Sequence, residues 1–308
     1  MWAKYWGKGK PRHRTSEAYW KHPAQWELEA IKTGIRPRIF PSLCDWLDDE
    51  VKIEWLADFL RIIHSTPHID WLLLTKRPEN WAKRIIASRN HLTSKDASAA
   101  LWLNDWLPKA EMPGMPARDG RPPSNVWLGV SVEDQTRANE RIPILLKTPA
   151  RVRFLSCEPL LGPLDLAPAL DPCAPECRRV TTHSDLGMGH WHIGTGKSID
   201  WAIGGGESGP GARPCNVEWI RSIVGQCKSA GVACFVKQLG AKPFDPKKAD
   251  NIPARKISHE SELTDLDAEL FDQMVSAMVM ELNDPKGGDI AEFPEDLKLR
   301  QFPLTSVP

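Results

Sequence analysis

Long apolar runs are missing from this chain of 308 residues. None approaches the roughly 20 residues that a membrane-spanning helix needs, so no membrane association is expected. The opening "MWAKYWGKGKPRHR" is basic and aromatic with no apolar core, so it does not read as a secretory signal, and a cytoplasmic protein is expected. Cysteine is sparse and odd in number, at seven. Without a secretory signal that argues against a disulfide framework. Cys44, Cys157 and Cys234 lie in apolar, strand-like runs and read as buried thiols. Several reactive signatures are absent too: no Gly-x-Ser-x-Gly elbow, no His-Glu-x-x-His pair and no paired Cys-x-x-Cys.

Net charge is also lacking, with 40 basic and 40 acidic side chains. The balance conceals an uneven spread. Residues 1–38 carry nine Lys/Arg against three Asp/Glu, whereas residues 259–308 carry twelve acids against three bases. The basic segment also holds Trp2, Tyr5, Trp6, Tyr19 and Trp20. Cations interleaved with aromatics suit a nucleic-acid backbone and its stacked bases, so nucleic acid is the expected partner of this arm. The plainer alternative is a solvated helix with aromatic packing positions.

What is present is a rhythm. Apolar runs of strand length end in polar residues and lead into amphipathic, helix-like sequence. The runs are Arg38–Asp45, Asp70–Asn80, Val126–Asp134, Arg151–Pro159, Asp200–Ser208 and Cys234–Gly240. Continuous apolar strands alternating with helices imply a parallel α/β sheet buried on both faces. The strand ends favour a (β/α) TIM-like barrel or partial barrel, because such a barrel gathers the C-terminal ends of its strands at one mouth. Those ends carry Asp45; Thr75, Lys76 and Arg77; Ser131, Glu133 and Asp134; Glu158; Glu207; and Lys237 with Gln238. Residues 1–242 read as the barrel, with insertions at 96–124 and 162–199. Residues 243–308 read as a C-terminal helix and an extended acidic tail packed on it.

Three stretches carry the candidate chemistry. "WAIGGGESGPGARP" (Trp201–Pro214) formally contains Gly204-x-Gly206-x-x-Gly209. Its context rejects a dinucleotide loop: Pro210 and Pro214 precede the helix, whose expected N-cap is Asn216, and the next strand ends in Lys237 and Gln238 rather than an acid. No Gly-Lys-Ser/Thr follows, so it is not a phosphate loop either. What survives is a bare strand end, Gly204, Gly205 and Gly206, for a cofactor or substrate, with Glu207 as its carboxylate. "LLLTKRP" offers Lys76 and Arg77 to an anion. "FLSCEPLLGP" offers Glu158 as a base, an anchor or a partner of Lys237, with Pro159 fixing an extended exit. Glu158, Glu207 and Lys237 are therefore the candidate catalytic residues. Asp45, Lys76, Arg77, Ser131, Glu133, Asp134 and Gln238 are the candidate substrate contacts. Carboxylates at neighbouring strand ends also raise a hydrolase using Glu158 and Glu207 as acid and base. Cys173, Cys177, His183, His190 and His192 have no standard zinc spacing and read as a loop with incidental ligands, and no metal site is expected.

Several ordered runs, among them "WGKGKPRHRTSEAYW", "SLCDWLDDEV", "TPHIDWLLLTKRPEN", "NVWLGVSVEDQTRANERIP", "VRFLSCEPLLGPLDL" and "KGGDIAEFPEDLKLRQFP", resemble a phage and prophage "Gp" family of unknown function. That family is related to the radical S-adenosylmethionine barrels. The resemblance implies a TIM-like fold and full-length relatives that modify or repair nucleic acid or nucleotides. It also implies an N-terminal C-x5-C-x2-C loop that holds a [4Fe–4S] cluster and leaves one iron for S-adenosylmethionine. Here no cysteine precedes Cys44. The expectation is therefore a chain lacking its first strand and cysteine loop, through truncation, a misplaced start or true loss, and with no cofactor of its own. The family's glycine-glycine-glutamate motif sits near the second strand, so equating it with Gly205, Gly206 and Glu207 is analogy only.

Overall fold

The structure is a computed structural model that describes residues 9–41, 45–112, 116–170, 178–179, 192–193, 198–247 and 278–303. Six strands form one sheet: β1 (Arg38–Ile39), β2 (Asp70–Thr75), β3 (Val126–Ser131), β4 (Val152–Cys157), β5 (Trp201–Gly205) and β6 (Ala233–Gln238). Each overlaps one of the six apolar runs. They follow one another across the sheet in chain order, whereas a doubly wound sheet reverses direction at its switch point. The register is parallel, as in Trp71 opposite Val126 and Trp201 opposite Ala233. Parallel neighbours need crossovers, and helices supply them: α3 (Ile53–His64) before β2, α4 (Trp81–Leu92) and α5 (Ala97–Trp106) before β3, α6 (Gln135–Lys147) before β4 and α8 (Val217–Ala230) before β6. The fold is α/β, a partial TIM-like barrel. Every residue of β3 and β4 is buried, which is why their sequences are continuous apolar runs rather than alternating ones. Shorter helices are α1 (Glu17–Trp20) and α7 (Ala167–Leu170), with α2 (His22–Thr33) preceding β1.

The chain divides into two compact units, residues 1–131 with 140–154, and residues 132–139 with 155–308. In the first, α3 buries Leu56, Ala57, Leu60 and Ile63, spaced for one helical face. Trp46 stacks on Trp106, and Trp81 meets Trp106 edge-on. Gly129 is required by packing: any side chain there would overlap the ring of Phe154.

In the second unit, Asn216 caps α8 as its sequence position implies, its side chain accepting from the Glu218 N–H at 2.9 Å. Gly231 closes the helix in the left-handed conformation at φ 69°. The outer edge of β6 is not left bare. The Val236 N–H donates to the Leu299 carbonyl, and the Gln301 N–H to the Cys234 carbonyl. The tail thus pairs along an edge that would otherwise template association with other strands. Arg221 ties α8 to two later segments, reaching Glu218 and Asp296 at 2.6 Å and Asp245 at 2.9 Å.

Among the described residues no helix is long and apolar enough to cross a membrane. Cys173, Cys177, His183 and His190, the side chain of His192, Cys44, most of the C-terminal helix and Trp2, Tyr5 and Trp6 lie outside what the structure describes.

Candidate functional site

The first unit gathers Asp45, Thr75, Lys76 and Arg77 around the Asp45 carboxylate, which Lys76 meets with its backbone N–H. One Asp45 oxygen accepts from the Thr75 hydroxyl at 2.7 Å, and the other from the Lys76 N–H at 3.1 Å and from Arg77 at 2.8 Å. Arg77 also lies 3.5 Å from Asp49 and 3.9 Å from Asp48. Burial lowers the Arg77 pKa, but these carboxylates outweigh it and hold the value above the ordinary one. An arginine so engaged is a tether between the β1 and β2 loops. The adjoining cavity, lined by Trp46, Leu73, Thr75 and Trp81, has a volume of about 10 Å³, room for one water and not for a metabolite.

The described part of the basic arm is anchored in the same unit. Arg12 pairs with Asp48 at 2.8 Å and Glu50 at 3.2 Å, and Arg14 pairs with Asp58 at 2.7 Å. The Arg14 guanidinium also lies 4.1 Å from the Trp20 ring centroid.

The second unit is different in kind. Glu158 directly follows β4 and Lys237 stands near the end of β6. The lysine ammonium lies 3.3 Å from Glu158 Oε2, with side-chain exposures of 55% for the lysine and 12% for the glutamate. Glu158 Oε1 is buried and finds no hydrogen-bond partner among the described residues. Burial raises the Glu158 pKa above the ordinary carboxylate value, and the Lys237 ammonium offsets only part of this. The Glu158–Pro159 peptide is cis.

The glycines of β5 approach this carboxylate. A Cβ on Gly205 would stand 2.7 Å from Glu158 Oε1 and 3.0 Å from the Gln238 carbonyl. One on Gly206 would overlap the Leu239 carbonyl, whereas one on Gly204 would meet only Ile220 and Ile223 at 3.8 and 3.9 Å. Gly205 and Gly206 are therefore packing requirements, and Gly204 is not. Gln238 serves the same strand end, its amide donating to the Gly206 carbonyl at 2.8 Å.

Glu207 is held in an ion pair. Arg213 grips both its oxygens, at 2.7 and 3.1 Å, and adds its own N–H at 3.0 Å. These hydrogen bonds hold the Glu207 pKa below the ordinary carboxylate value. Arg213 was not legible as a site residue. Its only signal is its place in the Gly/Pro loop six positions after Glu207, a spacing with no helical or strand period. Asp134 caps α6 by accepting from the Arg137 N–H at 2.8 Å. Ser131 is buried and its carbonyl accepts from Arg141 at 2.7 Å. Glu133 is buried and its carbonyl accepts from the Leu161 N–H at 2.9 Å.

The described cysteines do not fit a cluster's ligand set. Cys157, Cys215, Cys227 and Cys234 are all buried free thiols. Burial raises Cys157 and pushes Cys215 up to about 12, and the Cys227 thiol holds Cys234 well above its ordinary value. A cluster needs accessible thiolates. No group of three potential metal ligands occurs among the described residues.

Fold and strand ends together define a (β/α)-type protein with a buried, incompletely partnered carboxylate at the C-terminal edge of its sheet. The chain belongs to DUF5131, a family of proteins of unknown function whose model matches residues 2–275. No curated protein and no solved structure matches it.

Proposed function

We propose that the second unit binds a small polar ligand at the ends of β4, β5 and β6, with Glu158 exchanging a proton or a hydrogen bond with it. The observation that carries this reading is the buried Glu158 carboxylate, which holds one oxygen on Lys237 and keeps the other against Gly205 without a partner among the described residues. Native proteins rarely leave such an atom unsatisfied, so it calls for a partner, and a raised carboxylate pKa suits general acid–base work near neutral pH. The ligand class that fits Oε1 is a hydrogen-bond donor, an amine, amide or hydroxyl.

The kinship with phage-borne, radical S-adenosylmethionine-like barrels rests on the resemblance of the sequence runs. Because the described cysteines do not suit a cluster, no step is assigned to one. A two-carboxylate hydrolase is less well supported, since Glu207 is held by Arg213 and Glu158 by Lys237. Nucleic-acid binding through the arm is weakened because Arg12 and Arg14 are engaged by carboxylates of their own unit.

A thermal-shift screen against amino acids, nucleosides, nucleotides and other small polar metabolites tests the proposal. Ligands that stabilise the wild type are expected to lose most of that effect in Glu158→Gln and in Gly205→Ala. Ligands that stabilise Glu158→Gln equally well would overturn it.

A further inference from the structure

The two halves of the Glu158–Lys237 pair differ in freedom. Glu158 is fixed at the end of a buried strand, whereas the lysine side chain is more than half exposed at 55%. The lysine can leave for another anion at little cost in solvation. The glutamate cannot follow, and among the described residues its ion pair is with Lys237.

The charged and titratable groups on the elements around it lead to the same point. Lys237 approaches from β6. Glu207 and Arg213 follow β5 and satisfy each other, Glu133 follows β3, and Cys157 precedes Glu158 on β4. A Glu158 carboxylate deserted by Lys237 would be an isolated buried charge, which proteins neutralise by taking up a proton.

We infer that the site takes an oxyanion, a phosphate, sulfate or carboxylate group, on Lys237, and that its binding is coupled to the uptake of one proton by Glu158. The proton balance is simple. The Lys237 N–H···Oε2 contact breaks, the ammonium keeps its three protons and contacts the anion, and a proton from solvent adds to Glu158. The protonated carboxyl then has an O–H to donate as well as an oxygen to accept. This inference rests on reading Glu158 as the proton carrier of the site, and adds the charge class of the ligand.

Sulfate is a suitable probe, because it does not itself titrate near neutral pH. Its affinity for the full chain should be measured by calorimetry at fixed ionic strength between pH 5 and 8. For the wild type, the dissociation constant should rise as pH rises, approaching tenfold per pH unit above the folded Glu158 pKa. Glu158→Gln should bind sulfate with a much flatter profile, since the amide has nothing to protonate, and Lys237→Met should lose sulfate binding. A wild-type profile as flat as that of Glu158→Gln would overturn the coupling, and so would an unchanged slope in Glu158→Gln. Undiminished binding by Lys237→Met, or no sulfate binding by the wild type, would overturn the oxyanion assignment. These failures are distinct from failure of the ligand reading, which depends on whether organic ligands lose their effect in Glu158→Gln.

Discussion

A single methylene separates two adjacent glycines in what they tolerate. Gly204 has ordinary van der Waals room for a Cβ, and Gly205 has a carboxylate oxygen 2.7 Å from where one would be. Gly204→Ala is therefore expected to leave stability within about 0.5 kcal/mol. Gly205→Ala should cost about 1–3 kcal/mol by forcing Glu158 and the end of β6 apart. Chemical denaturation of the two variants side by side checks this, and equal stability would refute the packing account. Glu158 itself should show the opposite sign. Its folded pKa lies above its unfolded value, so its contribution to stability is fully present below the unfolded value near 4.5 and is lost as pH rises through the folded value. Glu158→Gln should match the wild type in acid and become more stable by roughly 1 kcal/mol towards neutral pH. Stability curves at pH 4 and pH 7 decide it. A variant that gains stability while losing ligand binding is the mark of a residue kept for use. Sequence reading reached Glu158, Lys237 and Gly205 because each breaks an apolar strand at its end. It took Asp45 and Arg77 as ligand groups for the same reason, and only the fold reveals that they bind each other.

At the scale of elements, β2 to β5 were readable because a strand buried on both faces must be apolar throughout, whereas β1 and β6 are only partly buried. The amphipathic segments between them gave the helices in the same way, α5 emerging from a Trp-rich piece at Ala97–Trp106. The strand-like segment around Leu299–Gln301 was not readable. Its sequence is polar and short, and it is extended because β6 offers it hydrogen bonds, a condition no local pattern encodes. Arg221 belongs to this scale, since it fastens α8 to the segment around Asp245 and to the turn at Asp296. Its side chain is mostly buried, and removing it strands Asp245, whose pKa its hydrogen bonds hold down. Arg221→Ala should cost about 3 kcal/mol, with faster amide exchange at Val236 and Gln301 if the tail loosens. A loss no larger than that of an exposed pair, under about 1 kcal/mol, would show that Arg221 is not a fastening point.

For the whole molecule, the useful fact is that the two units interleave in sequence. Residues 132–139 belong with the second unit, while 140–154 return to the first. The short segment matters to its unit: Val132 donates to the Ser156 carbonyl, the Glu133 carbonyl accepts from Leu161, and Gln135 holds the Asp165 N–H at 2.7 Å. Neither unit is a continuous stretch that can be cut free. A fragment of residues 155–308 lacks these partners and is expected to exchange the Leu161 and Asp165 amides much faster than the full chain does, as hydrogen exchange would report. Protection equal to that of the full chain would show that the segment contributes nothing. Composition marks where a chain becomes acidic but not which residues it returns to.

The tail that covers β6 also sets a timetable. Gln238 ends that strand, and the residues that pair with its edge are Leu299 and Gln301, some sixty positions later. A ribosome adding roughly 5–20 residues per second leaves the edge uncovered for several seconds after β6 is made. During that interval the nascent chain presents an open strand, and neighbouring chains on the same message present another. Slowing translation between residues 240 and 300 with rare codons should therefore lower the soluble yield, although the protein sequence is unchanged.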